Sequence, residues 1–138
     1  VTIERDGQAI DLVGVRDVTD QDDALANSWL VARARAFLEE TVDPDRLTLL
    51  ACHRPNLYPY LDGAGADIML SGHLHGGVVR LPGLGGVFDV AGGLLPKYDK
   101  GFYAPGEMDL FVSSGCDFRP PRLRLFNGPS VTLMTLKR

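Results

Sequence analysis

His53, His73 and His75 are the only histidines among 138 residues, and all three fall within a 23-residue window. Neutral imidazole is the commonest side-chain metal ligand, so the chemistry this trio suggests is metal binding and metal-assisted hydrolysis. Each residue follows a short apolar run or lies in the glycine-rich segment beside it. In His73-Leu74-His75 the intervening residue separates the two rings, so the pair can serve two adjacent ions as easily as one. His53 and His73, each ending a predicted strand, are placed to share an ion. Gly72, Gly76 and Gly77 permit a tight turn and a close approach of backbone to ligand. One such histidine would read as a satisfied core or surface residue. Three of them, set among glycines, read as ligands.

The elements that must carry these residues follow from hydrophobic periodicity. Residues 1–5 and 8–15 are rich in β-branched side chains and flank Asp6-Gly7, a hairpin signal because a type I′ turn needs positive φ at both central positions. Over residues 24–40, Leu25, Trp29, Ala32, Ala36 and Phe37 recur at spacings of three and four, which predicts an amphipathic helix with that stripe inward and Arg33, Arg35, Glu39 and Glu40 outward. Asp20, Asp22 and Asp23 before it suit the positive end of the helix dipole as a solvated cap. Residues 47–52 and 67–71 are apolar runs that read as buried strands, joined by a short helical stretch over 57–63. This is a βαβ-like unit, whose C-terminal strand ends are the usual ligand edge of an α/β protein.

Beyond Gly72 the texture changes, with ten of the 16 glycines between Gly72 and Gly106. Residues 78–81 are a candidate strand, 94–103 a long loop, and 109–114, 122–126 and 130–136 antiparallel strands with turns at Gly115 and at Asn127-Gly128-Pro129. No internal repeat is present. The fold class is therefore α/β with an added antiparallel part (α+β).

Composition narrows the function. Length allows one domain with one core. Residues 68–79 are the longest uncharged stretch, too short to span a bilayer. The formal charge of −4 excludes a generally basic nucleic-acid binder, and no nucleic-acid partner is expected. Acidic residues dominate residues 1–69, 13 against 6 basic, whereas residues 70–138 carry 8 basic and 5 acidic, so an anionic ligand is better hosted by the second half. Cys52 and Cys116 read as buried free thiols. The chain opens at Val1 inside a strand-like run, as a cut edge would. No compartment follows from this; the cytoplasm or a peripheral membrane face are the settings expected.

Leu50-Ala51-Cys52-His53-Arg54-Pro55 followed by Gly72-His73-Leu74-His75-Gly76-Gly77 resembles the C-terminal signature of calcineurin-like metallophosphoesterases. The nearest branch by resemblance holds bacterial membrane-associated phosphodiesterases and UDP-2,3-diacylglucosamine hydrolases. Val79-Arg80-Leu81-Pro82, Lys97-Tyr98, Gly101-Phe102-Tyr103 and Phe111-Val112-Ser113-Ser114-Gly115 extend it over nearly the whole chain. The resemblance implies part of a four-layer α/β/β/α sandwich and a dinuclear centre of two divalent ions (Mn, Fe or Zn). His53 and His73 would bind one ion and His75 the other. It implies hydrolysis of a phosphoester or phosphoanhydride, in a phosphorylated small molecule or lipid-linked substrate, with Arg54, Arg80 and Lys97 as candidate contacts to substrate phosphate.

Departures shape this expectation. Leu74 stands where the family more often has Ser or Thr, Val78 where it has Gln, Gly115-Cys116-Asp117 where it has Gly-x-Gly, and Pro129-Ser130 where it has Pro-Glu. The family's Asp-x-His, Gly-Asp-x-x-Asp and Gly-Asn-His patterns are absent. Residues 1–138 thus read as the C-terminal half of such a domain. Without a bridging carboxylate the repulsion of two close cations is uncompensated, so at most one weakly bound ion is expected in the isolated chain. Asp67, at the start of its strand, is poorly placed as a substitute; Asp17 and Asp117 stay open. Expected partners are the missing N-terminal half or a second copy. Tyr98, Phe102 and Tyr103 are expected to pack beneath the glycine-rich loop. The rival reading is a non-catalytic three-His metal-binding or interaction module.

Overall fold

A computed structural model describes residues 1–16, 24–88, 93–116 and 124–136, with residues 24–28 by backbone alone. The acidic cluster at 20–23, Asp17, Asp117 and the first residues of the expected strand 122–126 lie outside them. The chain divides into two compact units, Val1–Ser71 with Phe102–Phe111, and Gly72–Gly101 with Val112–Arg138.

The first unit is built on a mixed sheet. Strands β1 (Thr2–Arg5) and β2 (Gln8–Gly14) form the expected hairpin, antiparallel with Arg5 opposite Gln8. Asp6 and Gly7 take φ of 52° and 74°, the two positive values that a tight hairpin turn of this hand requires. Strand β3 (Leu47–Ala51) lies parallel to β2, with Leu50 opposite Val13, and β4 (Ile68–Ser71) lies parallel to β3. Between β3 and β4 come a 3-10 turn (Pro55–Leu57) and a short helix α2 (Tyr58–Leu61), the predicted crossover. Later strands β7 (Gly101–Tyr103) and β8 (Asp109–Val112) complete the order β1-β2-β3-β4-β8-β7. The core is Leu38, Leu50, Leu61, Met69, Met108 and Leu110, all essentially without solvent contact.

Helix α1 (Ala24–Thr41) forms where expected but rolled to another face. Trp29 and Phe37 are 55% and 48% exposed and Ala32 and Ala36 are exposed, whereas Leu38 is buried and Val31, Ala34 and Arg35 are half-buried. The sequence is apolar on both stripes, so periodicity alone does not choose between them. Arg35 decides it physically. Its guanidinium donates to the carbonyls of Tyr60 (3.1 Å) and Asp62 (2.8 Å) at the end of α2, where carbonyls lack helical partners, and pairs with Glu39 at 2.8 Å.

Asp67 is structural: its Oδ2 accepts from Thr48 N at 2.7 Å and its carbonyl from Asp109 N at 2.8 Å. Tyr58 OH donates to Met108 O (2.6 Å), and Asp62 Oδ1 accepts from Met108 N (2.9 Å), fixing the entry to β8.

The second unit carries little regular structure. A two-residue ribbon pairs β5 (Arg80–Leu81) with β6 (Gly85–Gly86), antiparallel, and Val79 bridges Leu125. The expected strand at 130–136 does not form. Val131-Thr132-Leu133 has the alternation of a strand, but a strand exists only by pairing, and Val131 and Leu133 stand 89% and 92% exposed. Both cysteines are free; Cys52 is buried as expected, while Cys116 is exposed because it follows the open turn at Gly115. Tyr98 is buried, but Phe102 is 57% exposed and so does not pack as expected.

Candidate metal-binding loop

His73 and His75 share one loop of the second unit, and its backbone is unusual. Their φ angles are 63° and 52°, in the left-handed region that L-residues seldom adopt, and Gly76 and Gly77 follow at 75° and 73°. Each such non-glycine residue costs on the order of 1 kcal/mol or more and persists only where its surroundings over-determine it. Here the surroundings are visible. Asn127 Nδ2 donates to the carbonyls of His75 (2.6 Å) and Gly77 (2.8 Å), and Arg80 Nη1 donates to that of Gly76 at 2.7 Å. Three consecutive carbonyls of the loop are thus each taken by a side chain. Within the loop, Leu74 N bonds Gly72 O (2.7 Å) and Gly77 N bonds Leu74 O (2.8 Å), while the Leu74 side chain is buried as an apolar pin.

The glycines are there for space. A Cβ on Gly77 would stand 2.5 Å from Gly86 Cα, and one on Gly76 would stand 2.7 Å from Asn127 Oδ1 and 2.9 Å from Ser114 Cβ. Ser114 is held in turn: its Oγ lies 2.6 Å from that of Ser130, and its carbonyl accepts from Arg124 Nη2 at 3.0 Å.

A second brace is Asp99. Its Oδ2 accepts from Arg80 Nη1 (2.7 Å) and from the amide of Gly86 (2.5 Å), and its Oδ1 from the amide of Lys100 at 2.7 Å. Arg80 is therefore tied into the loop's support, with its side chain only 24% exposed. Lys97 is exposed, with Nζ 5.0 Å from the centroid of the Tyr98 ring, a cation–π distance.

In the first unit, His53 lies two residues beyond β3 and is exposed, and Arg54 is half-buried with its carbonyl accepting from Leu57 N at 3.2 Å. Buried Cys52 between β3 and His53 donates its amide to Leu70 O at 3.0 Å, and Ser71 Oγ donates to Cys52 O at 2.7 Å. The structure brings His73 and His75 onto one loop. Among the described residues no group of three or more His, Cys, Asp or Glu stands together as a metal site.

The sequence passed over two residues that matter here. Asn127 reads from sequence as a turn residue in Asn127-Gly128-Pro129, and its distance of more than fifty residues from the loop it holds leaves no local signal. Asp99 lies between Lys97 and Lys100, where the cations draw the eye; a lone acid in a basic, glycine-rich stretch was the available sign.

Two curated proteins are similar to this chain. One, from Campylobacter jejuni, is named uncharacterized metallophosphoesterase Cj0846 and is 30% identical over 133 residues, which is 93% of this chain and 32% of that protein. The other, from Bacillus subtilis, is named uncharacterized metallophosphoesterase YkuE and is 32% identical over 94 residues, 67% of this chain and 32% of that protein. The likeness is to metallophosphoesterases. This chain spans about a third of the length of these metallophosphoesterase relatives. No protein-family model and no solved structure matches it.

Two imidazoles on a braced loop, with the Nε2 of His73 shut away from solvent, are suited to hold divalent ions as neutral ligands. Among the described residues they lack a third group beside them, so no chemical step is derived through a metal.

Proposed function

We propose that this chain supplies the histidine-bearing part of a metal-dependent hydrolase of phosphoesters or phosphoanhydrides. The observation that carries the reading is the His73-Leu74-His75 loop, two ligand-type side chains at positive φ in a turn where two side chains, Asn127 and Arg80, make three hydrogen bonds to the successive carbonyls of His75, Gly76 and Gly77. Backbone strain retained under such bracing points to function, and the likeness to metallophosphoesterases supports this class of chemistry.

In the finer form of the proposal the centre is dinuclear, of calcineurin-like type, holding Mn, Fe or Zn. His53 and His73 serve one ion and His75 the other, within a four-layer sandwich that a further polypeptide completes. Bound there, such a metal pair would supply Lewis-acid activation of water and of the phosphoryl group. The chain's own residues bind and orient: the three imidazoles are the metal donors, and Arg54 and Lys97 meet substrate phosphate. Arg80 acts through the loop it supports. The bridging carboxylate comes from the completing polypeptide or a second copy. The substrate is a phosphorylated small molecule or a lipid-linked phosphoester or phosphoanhydride, the latter as in the diacylglucosamine-hydrolase branch.

Titration of the chain with Co²⁺ or Mn²⁺, followed by a diester assay with bis(p-nitrophenyl) phosphate, tests this. Wild type should take up metal, His73→Ala and His75→Ala should lose it, and turnover should stay far below an ordinary enzyme rate of about 10 per second. Metal uptake unaffected by both substitutions would overturn the ligand assignment. Fast turnover by the chain alone would overturn the need for a completing carboxylate.

A further inference from the structure

Asn127 is 2% exposed, lies in the same unit as the histidine loop, and has a divided hydrogen-bond inventory. Its Nδ2 donates twice, to His75 O and Gly77 O, and those two acceptors fix which end of the amide carries nitrogen. Its Oδ1 is buried with no hydrogen-bond partner, and it faces Gly76 closely enough that a Cβ there would stand 2.7 Å away. A carboxamide used only to tie a turn would do better with its oxygen in water. This one is held against the backbone between His75 and Gly77, with one acceptor uncommitted.

Resting on the reading of His73 and His75 as metal ligands, we propose that Asn127 is the positioning residue of that site, the clamp that holds the loop in left-handed geometry and so sets where the two imidazoles point. The arrangement has the right logic. The amide bonds the carbonyl of His75 itself and the carbonyl two residues on, so it fixes the peptide plane that enters Gly76 and the one that leaves Gly77. Those two planes bracket the run of positive φ at Gly76 and Gly77, with His75 at its entry. Arg80 holds the carbonyl between, but through a long side chain shared with Asp99, whereas Asn127 has two side-chain torsions and is wholly packed. Without the clamp, His73 and His75 are expected to relax toward ordinary φ, which re-aims both rings. Groups that orient metal ligands from behind commonly set affinity by 10–100-fold.

The test compares wild type with Asn127→Asp and Asn127→Ala in the full chain. Asp keeps the shape but offers no donor, and Ala removes the group. Intraresidue HN–Hα cross-peaks, strong only at positive φ, report the loop at His73 and His75. Cross-peaks across the β1–β2 hairpin, in the other unit, report that the variants are folded. Co²⁺ titration with its visible absorption reports affinity and ligand geometry. The proposal expects both variants to lose the positive-φ signature and bind Co²⁺ at least tenfold more weakly, with an altered spectrum and the hairpin intact. Retention of the signature in both variants would overturn it, as would Co²⁺ affinity equal to wild type. Should wild type itself take up no Co²⁺, the ligand reading falls, and the cross-peaks alone then decide whether Asn127 holds the loop.

Discussion

The two units solve the same problem, satisfying buried backbone, with different emphasis. In the first, carbonyls and amides pair with one another along β1 to β4, and side chains fill the space between sheet and helix. In the second, side chains do much of the pairing: Asn127, Arg80 and Arg124 reach back to loop carbonyls, and Asp99 takes the amide of Gly86 in the two-residue strand β6. Ladders are tolerant of residue identity, because any non-proline residue supplies the same donor and acceptor. Clamps are not, because one amide or carboxylate serves two backbone groups at once. The first design gives a scaffold, and the second gives a loop whose shape is written in a few specific residues.

The largest effect should come from the scaffold's core. Leu50 is fully buried in β3, opposite Val13 on one side and Met69 on the other. Leu50→Ala should cost about 3–4 kcal/mol, read as a lower midpoint in urea, because transfer and cavity terms add. A loss under about 1 kcal/mol would mean that this sheet is not the stabilising element.

Asp99→Ala should come next, at about 2–3 kcal/mol, since it leaves the buried Gly86 amide without its acceptor and Arg80 without its carboxylate. The informative readout is local. Hydrogen exchange should accelerate at Gly86 and Lys100 while the amides of β3 keep their protection. Uniform acceleration in both units would show that the clamps and the ladders are not separable.

Among the described residues each unit also holds a buried side-chain oxygen without a hydrogen-bond partner, Thr48 Oγ1 in β3 and Asn127 Oδ1 beside the histidine loop. The contrast sharpens the comparison. Thr48 is buried in a strand, and Val has the same branched shape without the hydroxyl, so Thr48→Val should raise stability by about 1 kcal/mol and leave metal uptake alone. An equally apolar replacement at Asn127 is expected to cost metal affinity instead.

What could be read in advance follows the same division. The hairpin was legible because Asp6-Gly7 encodes its turn within two residues, and β3 and β4 because each is a short apolar run between polar breaks. The three histidines were legible as a cluster in sequence. Their support was not, since Asn127 acts across fifty residues and leaves no periodic trace. The run 131–136 shows the converse: its alternation is that of a strand, but the partner a strand needs is not encoded in the run itself.

The smallest expected effect tests the face of α1. Sequence periodicity placed Ala36 inward with Trp29 and Ala32; the structure turns it to solvent and brings Ala34, Arg35 and Leu38 inward. Ala and Gln both suit a helix, so Ala36→Gln isolates packing from propensity. On an exposed face the change should be within about 0.5 kcal/mol, whereas forcing the larger side chain into a filled core would cost about 1–3 kcal/mol. Ala34→Gln is the matched control, half-buried one turn-face away and expected to lose more. Trp29 and Phe37 then remain as the wall of a groove of about 430 Å³ that also touches Leu57 and Leu61. A core-sized penalty at Ala36, with little at Ala34, would return the helix to the orientation its periodicity suggests and undo the role given to Arg35 at the end of α2.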